Sequence, residues 1–305
     1  MAILTPALIQ ALFVGFRRDF QAALNDTPTA WQSIATRVPS TTKSNTYGWL
    51  GQFPQFREWI GPRVLKDMAA HGYSIENKDW ESSVSIRRPD IEDDNVGIYS
   101  PLFSEMGRAA KAQPDELVFG LLKDGFTVAG YDGQNFFDDE HPVYPNVDGT
   151  GTAELVANHD VDLTERPDNP IWYLMDTSRA IKPLIFQERK APVFTPMTRL
   201  DDEEVFTNNV FRFGADSRNN VGFGFWQFAY GSKQTLDKSS YKAARTALMG
   251  MKGDYGRPLG LRPRLLVVPP ALEEAGLELL NAERDAAGAT NVYRGTAELL
   301  VCEWL

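Results

Sequence analysis

Residues 40–63, STTKSNTYGWLGQFPQFREWIGPR, crowd Tyr47, Trp49, Phe53, Phe56 and Trp59 between Gly48, Gly51, Pro54, Gly61 and Pro62. Proline removes a backbone donor and clashes with the turn before it, and glycine adds flexibility, so one continuous helix is forbidden here. No period-two alternation marks a strand either. Five large aromatic side chains therefore sit where no regular element can bury them. Either the segment folds back onto its own chain or another molecule covers it.

Downstream, in GYSIENKDWESSVSIRRPDIEDD, Tyr73 and Ile75 and then Val84 and Ile86 alternate as strand residues do. Residues 40–88 read as a two-stranded excursion with an irregular, aromatic tip. Upstream, Thr5 and Pro6 supply a cap and a first-turn proline. Leu8, Leu12, Phe13, Phe16, Phe20 and Leu24 then recur at helical spacing, so residues 5–24 are expected to form an amphipathic helix. Its wide apolar face must dock on its own chain or on a neighbouring subunit.

The same N-terminus is a poor signal peptide. Arg17, Arg18 and Asp19 follow the apolar run instead of preceding it, and that run is too short to span a bilayer. Cys302 is the only cysteine, so no intramolecular disulfide can form. With 305 residues the chain exceeds what most single cores use, and two lobes or one domain with long extensions are expected. A net charge of −10 repels nucleic acid on average, which argues against a sequence-specific reader of DNA or RNA. The chain reads as soluble.

Ser100 and Pro101 open a second helix carrying Leu102, Phe103, Met106, Ala109 and Ala110. Pro114 falls inside its continuation, favouring one long kinked helix over two abutting ones. Residues 131–170 are rich in Asp, Asn, Gly and Pro and read as loops. Strand-rich blocks follow at 171–192 and 210–232, the second read as a hairpin turning at Arg218, Asn219 and Asn220. RLDDEEVF between them is an acidic surface loop. A helix after Asp237, an apolar strand at 264–268, a helix over 271–288 closed by Gly288 and a final strand over 298–305 make a small α/β lobe.

Catalytic signals are weak. Asp138, Asp139, Glu140 and His141 are sequential, and neighbours in sequence do not converge on one ion; they read as solvated charge. Cys302 lies in an apolar run and reads as a buried structural thiol. Gly222-Phe223-Gly224 lacks the third glycine of a dinucleotide fingerprint, and Gly231-Ser232-Lys233 lacks the upstream glycine of a phosphate loop. No metal, cofactor or catalytic residue is expected.

The order of elements resembles the gpT-type major capsid proteins of Mu-like tailed phages, and through them the HK97 capsid fold. The likeness is carried by VPSTTKSNTYGWLGQFPQFREWIG, SIRRPDIEDDNVGIYSPLFSEMGRAA, YDGQNFFDDEHP, DTSRAIKPLIFQER, NVGFGFWQFAYGSKQTL and RPLGLRPRLLVVPPALE, in that order along nearly the whole chain. It implies an α+β fold: an N-terminal arm (1–36), an extended loop lying across an adjacent subunit (37–90), a peripheral domain with a long spine helix and one long β-sheet built from the strand blocks 171–192 and 205–231 (91–232), and an axial domain (233–305). The long strands precede the axial lobe, unlike the usual HK97 order, which implies a permuted connection.

The resemblance implies a non-enzymatic subunit of an icosahedral head, built as hexamers and pentamers around double-stranded DNA with no specific contact to it. Implied partners are copies of itself, a separate scaffolding protein, a portal and a decoration protein, with no membrane. Scaffolding is expected to be separate because the chain starts almost at the arm helix. The place of action is the virion, after assembly in the host cytoplasm. Tyr47, Trp49, Phe53, Phe56, Arg57, Trp59 and Arg63 are the expected intersubunit contacts of the loop, since aromatic residues and Arg dominate interface energy. A nanocompartment shell of the same fold and a carboxylate-dependent hydrolase are the alternatives.

Overall fold

A computed structural model describes residues 5–51, 72–92, 98–146, 151–161, 169–199, 201–253, 256–284 and 288–305. Along the chain come α1 (Pro6–Asp26), β1 (Ala35–Pro39), β2 (Ser44–Thr46), β3 (Ser74–Glu76), β4 (Lys78–Arg87), α2 (Arg88–Glu92) and α3 (Ser100–Lys123). The middle supplies β5 (His141–Val143), β6 (Glu154–Val156), β7 (His159–Asp160), β8 (Trp172–Met175), β9 (Leu184–Met197), α4 (Glu203–Asn208), β10 (Val210–Phe223) and β11 (Ala229–Ser232). The last part adds α5 (Lys238–Met249), β12 (Leu265–Val268), α6 (Glu273–Leu280) and β13 (Glu298–Val301).

Among the described residues the strands form two principal sheets. One is ordered β1-β9-β10-β4, and its long β9 and β10 are antiparallel. The other is ordered β13-β12-β8-β11-β7, with β12 and β8 buried along their whole length. A run buried on both faces must be apolar throughout, as LLVV is.

The helix α3 joins the two. Its first half puts Phe103 and Met106 into a core shared with Phe16 and Phe20 of α1 and with Phe211 and Phe213 of β10. The rings of Phe16 and Phe103 stack 4.2 Å apart, and Phe213 meets Phe103 edge-on at 5.2 Å. Its second half puts Val118, Phe119 and Leu122 into the larger core with Trp172, Leu174 and Leu266. Pro114 sits where one core gives way to the other, and the helix runs through it unbroken. Directly after it, the buried Asp115 carboxylate accepts from the backbone N–H of Trp31 at 2.7 Å and of Ala30 at 3.0 Å. That satisfies the first amides of the short turn leading out of α1.

The arm helix begins as its sequence indicated. Thr5 Oγ1 accepts from Leu8 N at 3.2 Å, and the apolar face docks on its own chain, against α3 and the first sheet. Asp237 caps α5 by accepting from the amides of Ser239 and Ser240, while its own N–H reaches Ser240 Oγ.

Three expectations are corrected. Residues 210–232 do not turn at 218–220, because β10 runs straight through to Phe223. The polar residues that mimicked a turn find distant partners instead: Asn219 Nδ2 donates to Gln113 Oε1 of α3 at 3.1 Å, and Asn220 Nδ2 to the Glu76 carbonyl of β3 at 2.7 Å. The register with β9 slips at Arg218 and Asn219, so the local irregularity is a bulge, not a reversal. The helix over 271–288 stops at Leu280, where the buried Asn291 amide donates to the carbonyls of Leu279 and Ala282 and closes the end early. The strands of segment 91–232 do not form one sheet: β8 and β11 pair into the sheet of the C-terminal lobe. None of the described helices is long and apolar enough to cross a membrane.

Candidate assembly surface

The loop singled out by the sequence leaves the body through a short stem. In it β2 and β3 pair antiparallel, Ser44 opposite Glu76 and Thr46 opposite Ser74. Of the alternating residues, Ile75 lies in β3 and Val84 and Ile86 in β4; the partner of β3 is β2, which no alternation marked, and β4 departs to join the first sheet.

A buried polar knot fixes the stem to β9. Gln187, fully buried, donates from Nε2 to the Ile75 carbonyl at 3.0 Å and to Asn77 Oδ1 at 2.8 Å. Its Oε1 accepts from the Tyr47 hydroxyl at 2.8 Å. Asn77 Nδ2 in turn donates to Ser40 Oγ and to the Thr42 carbonyl, both at 2.9 Å. Every group in this knot has a partner, so its burial carries no unpaired donor or acceptor. Burial pushes the Tyr47 phenol up to about 12, so it stays a neutral donor at physiological pH.

The expected site residues therefore divide. Tyr47 is 3% exposed and belongs to the large core of its own chain, as does Leu50. Tyr47, expected as an intersubunit contact, spends nearly all of its ring on the core of its own chain. Trp49 is half-buried, with Tyr47 and Phe225 each 5.9 Å away centroid to centroid. Gly51 ends the described part of the loop at φ +81°, and a β-carbon there would stand 2.7 Å from the Tyr131 ring. Only glycine meets both conditions, so the exit direction of the loop is set by backbone geometry. Phe53, Phe56, Arg57, Trp59 and Arg63 lie outside the described residues.

The cluster at 138–141 is not a joint site. Asp139 and Glu140 are exposed, whereas His141 is fully buried, stacked on Trp226 at 3.9 Å. Its Nδ1 lies 2.7 Å from Asp132 Oδ2, a partner nine positions upstream that the sequence reading did not pair with it. Among the described residues no group of His, Cys, Asp and Glu is arranged to hold a metal ion. Cys302 is buried, and burial pushes its thiol up to about 12, far from a reactive thiolate.

The fold matches a subunit from the procapsid of bacteriophage JBD30 with a TM-score of 0.88 and 54% identity, covering 99% of this chain and 100% of that one. It also matches the JBD30 capsid decorated with minor capsid protein trimers, with a TM-score of 0.74 and 40% identity over both full chains. Two sheets bridged by a spine helix, with an arm helix along it and a pinned loop stem, define a shell subunit of the HK97-like capsid class. The sequence profile described as Mu-like prophage major head subunit gpT matches residues 9–305. The major capsid protein of Escherichia phage Mu is 52% identical over 306 residues, 99% of this chain and all of that protein. The chain belongs to this family of Mu-like phage major head subunits.

Proposed function

We propose that the chain, as a major capsid protein, associates with copies of itself into the hexamers and pentamers of an icosahedral head that encloses double-stranded DNA. The observation that supports this best is the match to the JBD30 procapsid subunit along essentially the whole of both chains. In this reading the arm is residues 1–36, and α1 holds it to its own subunit. The extended loop, 37–90, is rooted at home by Tyr47 and Trp49 and lays Phe53, Phe56, Arg57, Trp59 and Arg63 over the adjacent subunit. The sheet β1-β9-β10-β4 with α3 is the peripheral domain. The sheet β13-β12-β8-β11-β7 with α5 and α6 is the axial domain, grouped around the five-fold and six-fold axes.

The role is structural, with no catalytic step assigned to the chain. Scaffolding and portal proteins are its partners during assembly in the host cytoplasm, and a decoration protein is a partner of the finished head. The minor capsid protein trimers on the JBD30 capsid support the last of these.

The test is expression of the chain with the other head proteins of its phage, followed by electron microscopy and nuclease treatment. Closed shells that protect DNA are expected. Monomers or dimers alone on size-exclusion chromatography, with no shells, would overturn the reading.

A further inference from the structure

The connection between β9 and β10 carries an unusual side chain. Phe206, on α4, is 86% exposed, while its neighbour Val205 is 3% exposed and sits in the core with Ile9, Phe16 and Ile91. The helix is held from beneath by Val205 and ends at Asn209 in the left-handed region, whose carbonyl accepts from Arg88 N at 3.0 Å. Phe206 is thus presented on a fixed turn. A phenylalanine left in water forgoes the burial of about 150–250 Å² of apolar surface, and Phe206 has the highest exposure of the large apolar side chains described.

Its surroundings are acidic. RLDDEEVF runs from 199 to 206. Arg199 engages Asp201 at 2.9 Å, and Asp202 accepts from the Arg199 amide, while Glu203 is exposed. The turn keeps a net negative charge beside its aromatic knob.

A complementary feature lies on α1. Val14, Arg17, Arg18, Gln21 and Ala22 line a shallow groove on the solvent side of the helix. Val14 is 57% exposed, and Arg17 and Arg18 are exposed; among the described residues Arg18 pairs with Asp19 at 3.5 Å. Phe206 is exposed and the groove is open, so the two do not meet within one chain.

We infer that the Phe206 knob of one copy docks in the Val14–Arg17–Arg18 groove of another, its carboxylates against the two guanidinium groups. This rests on the reading of the chain as a shell subunit and names one of the contacts that would build the shell. The two surfaces differ, so the contact is head-to-tail: repeated from copy to copy it extends around a ring or across a lattice instead of closing a dimer.

The test uses the full chain in assembled particles. Thr207→Cys combined with Gln21→Cys, which keeps Phe206 and Val14 in place, treated with a short bis-maleimide, should give covalent dimers and a ladder in particles but not in dissociated subunits. Cys302 is buried and does not contribute to the reaction. Phe206→Ser should lower particle yield about tenfold or more, the usual effect of truncating an interface anchor, while the free subunit melts at the wild-type temperature. Arg17→Glu and Glu203→Arg should each lower the yield, and together restore it.

Normal yield from Phe206→Ser, with no cross-link in intact particles, would overturn the contact and leave the shell reading standing. Shells that never form from the unaltered chain would overturn that reading instead. Normal shells that lose a bound decoration protein on Phe206→Ser would assign the knob to that partner and end the proposal.

Discussion

Gly107 of α3 faces the Phe20 carbonyl of α1 so closely that a β-carbon at 107 would lie 2.3 Å from the Phe20 oxygen. The arm helix and the spine helix are therefore in backbone contact, and the arm belongs to its own subunit. Gly107→Ala forces the helices apart. Overpacking of this kind costs about 1–3 kcal/mol. Thermal unfolding of the unassembled subunit should show a lower melting temperature, and a Gly107→Ala subunit as stable as wild type would refute the contact.

Asp115 couples the end of the arm to the spine through the amides of Ala30 and Trp31. Asp115→Ala leaves those donors without an acceptor, at about 1–3 kcal/mol for a buried group. Desolvation by burial outweighs the hydrogen bonds and holds the carboxyl above its ordinary pKa. A folded-state pKa raised in this way gives stability that is full below the unfolded pKa and is lost as pH rises through the folded value. Wild type should therefore lose stability relative to Asp115→Asn as pH rises through the carboxylate range. Urea unfolding of both chains at a series of pH values checks the sign.

Gln187 holds the loop stem by three hydrogen bonds at once. Gln187→Leu strands the Tyr47 hydroxyl, the Ile75 carbonyl and Asn77 Oδ1, each at about 1–3 kcal/mol if it finds no new partner. Limited proteolysis should then cut within 40–77 much faster than in wild type, while β12 in the C-terminal lobe keeps its hydrogen-exchange protection. Tyr47→Phe should give a milder form of the same effect.

Trp49 and Trp59 should behave differently although they are ten residues apart. Trp49 packs against Phe225 of its own chain, so Trp49→Ser should lower subunit stability. Trp59 is proposed to lie on a neighbour, where one such ring contributes about 4–6 kcal/mol of gross burial before ordering costs. Trp59→Ser should leave the melting temperature of the free subunit unchanged and reduce shell yield. Equal destabilisation of the free subunit by both substitutions would contradict the division.

Much of this was legible in the residues themselves. The cap at Thr5, the capping box at Asp237 and the apolar LLVV strand are local signals, and the structure follows them. Asn219 and Asn220 misled because polar residues in mid-strand look like a turn until Gln113 and the Glu76 carbonyl are seen opposite them. Those partners lie about a hundred residues or more away. The same holds for Tyr47 and Gln187, separated by 140 positions, which no local pattern connects. Aromatic content marked the loop as needing cover. It did not reveal that the first rings are covered at home.

The most direct measurement is a density map of the assembled particle at side-chain resolution, traced from Gly51 to Gly72. The account expects the chain to leave its stem at Gly51, cross onto a neighbouring copy with Trp59 against that copy, and return through β3. A trace that keeps residues 52–71 packed on their own subunit, with no contact to a neighbour, would contradict it.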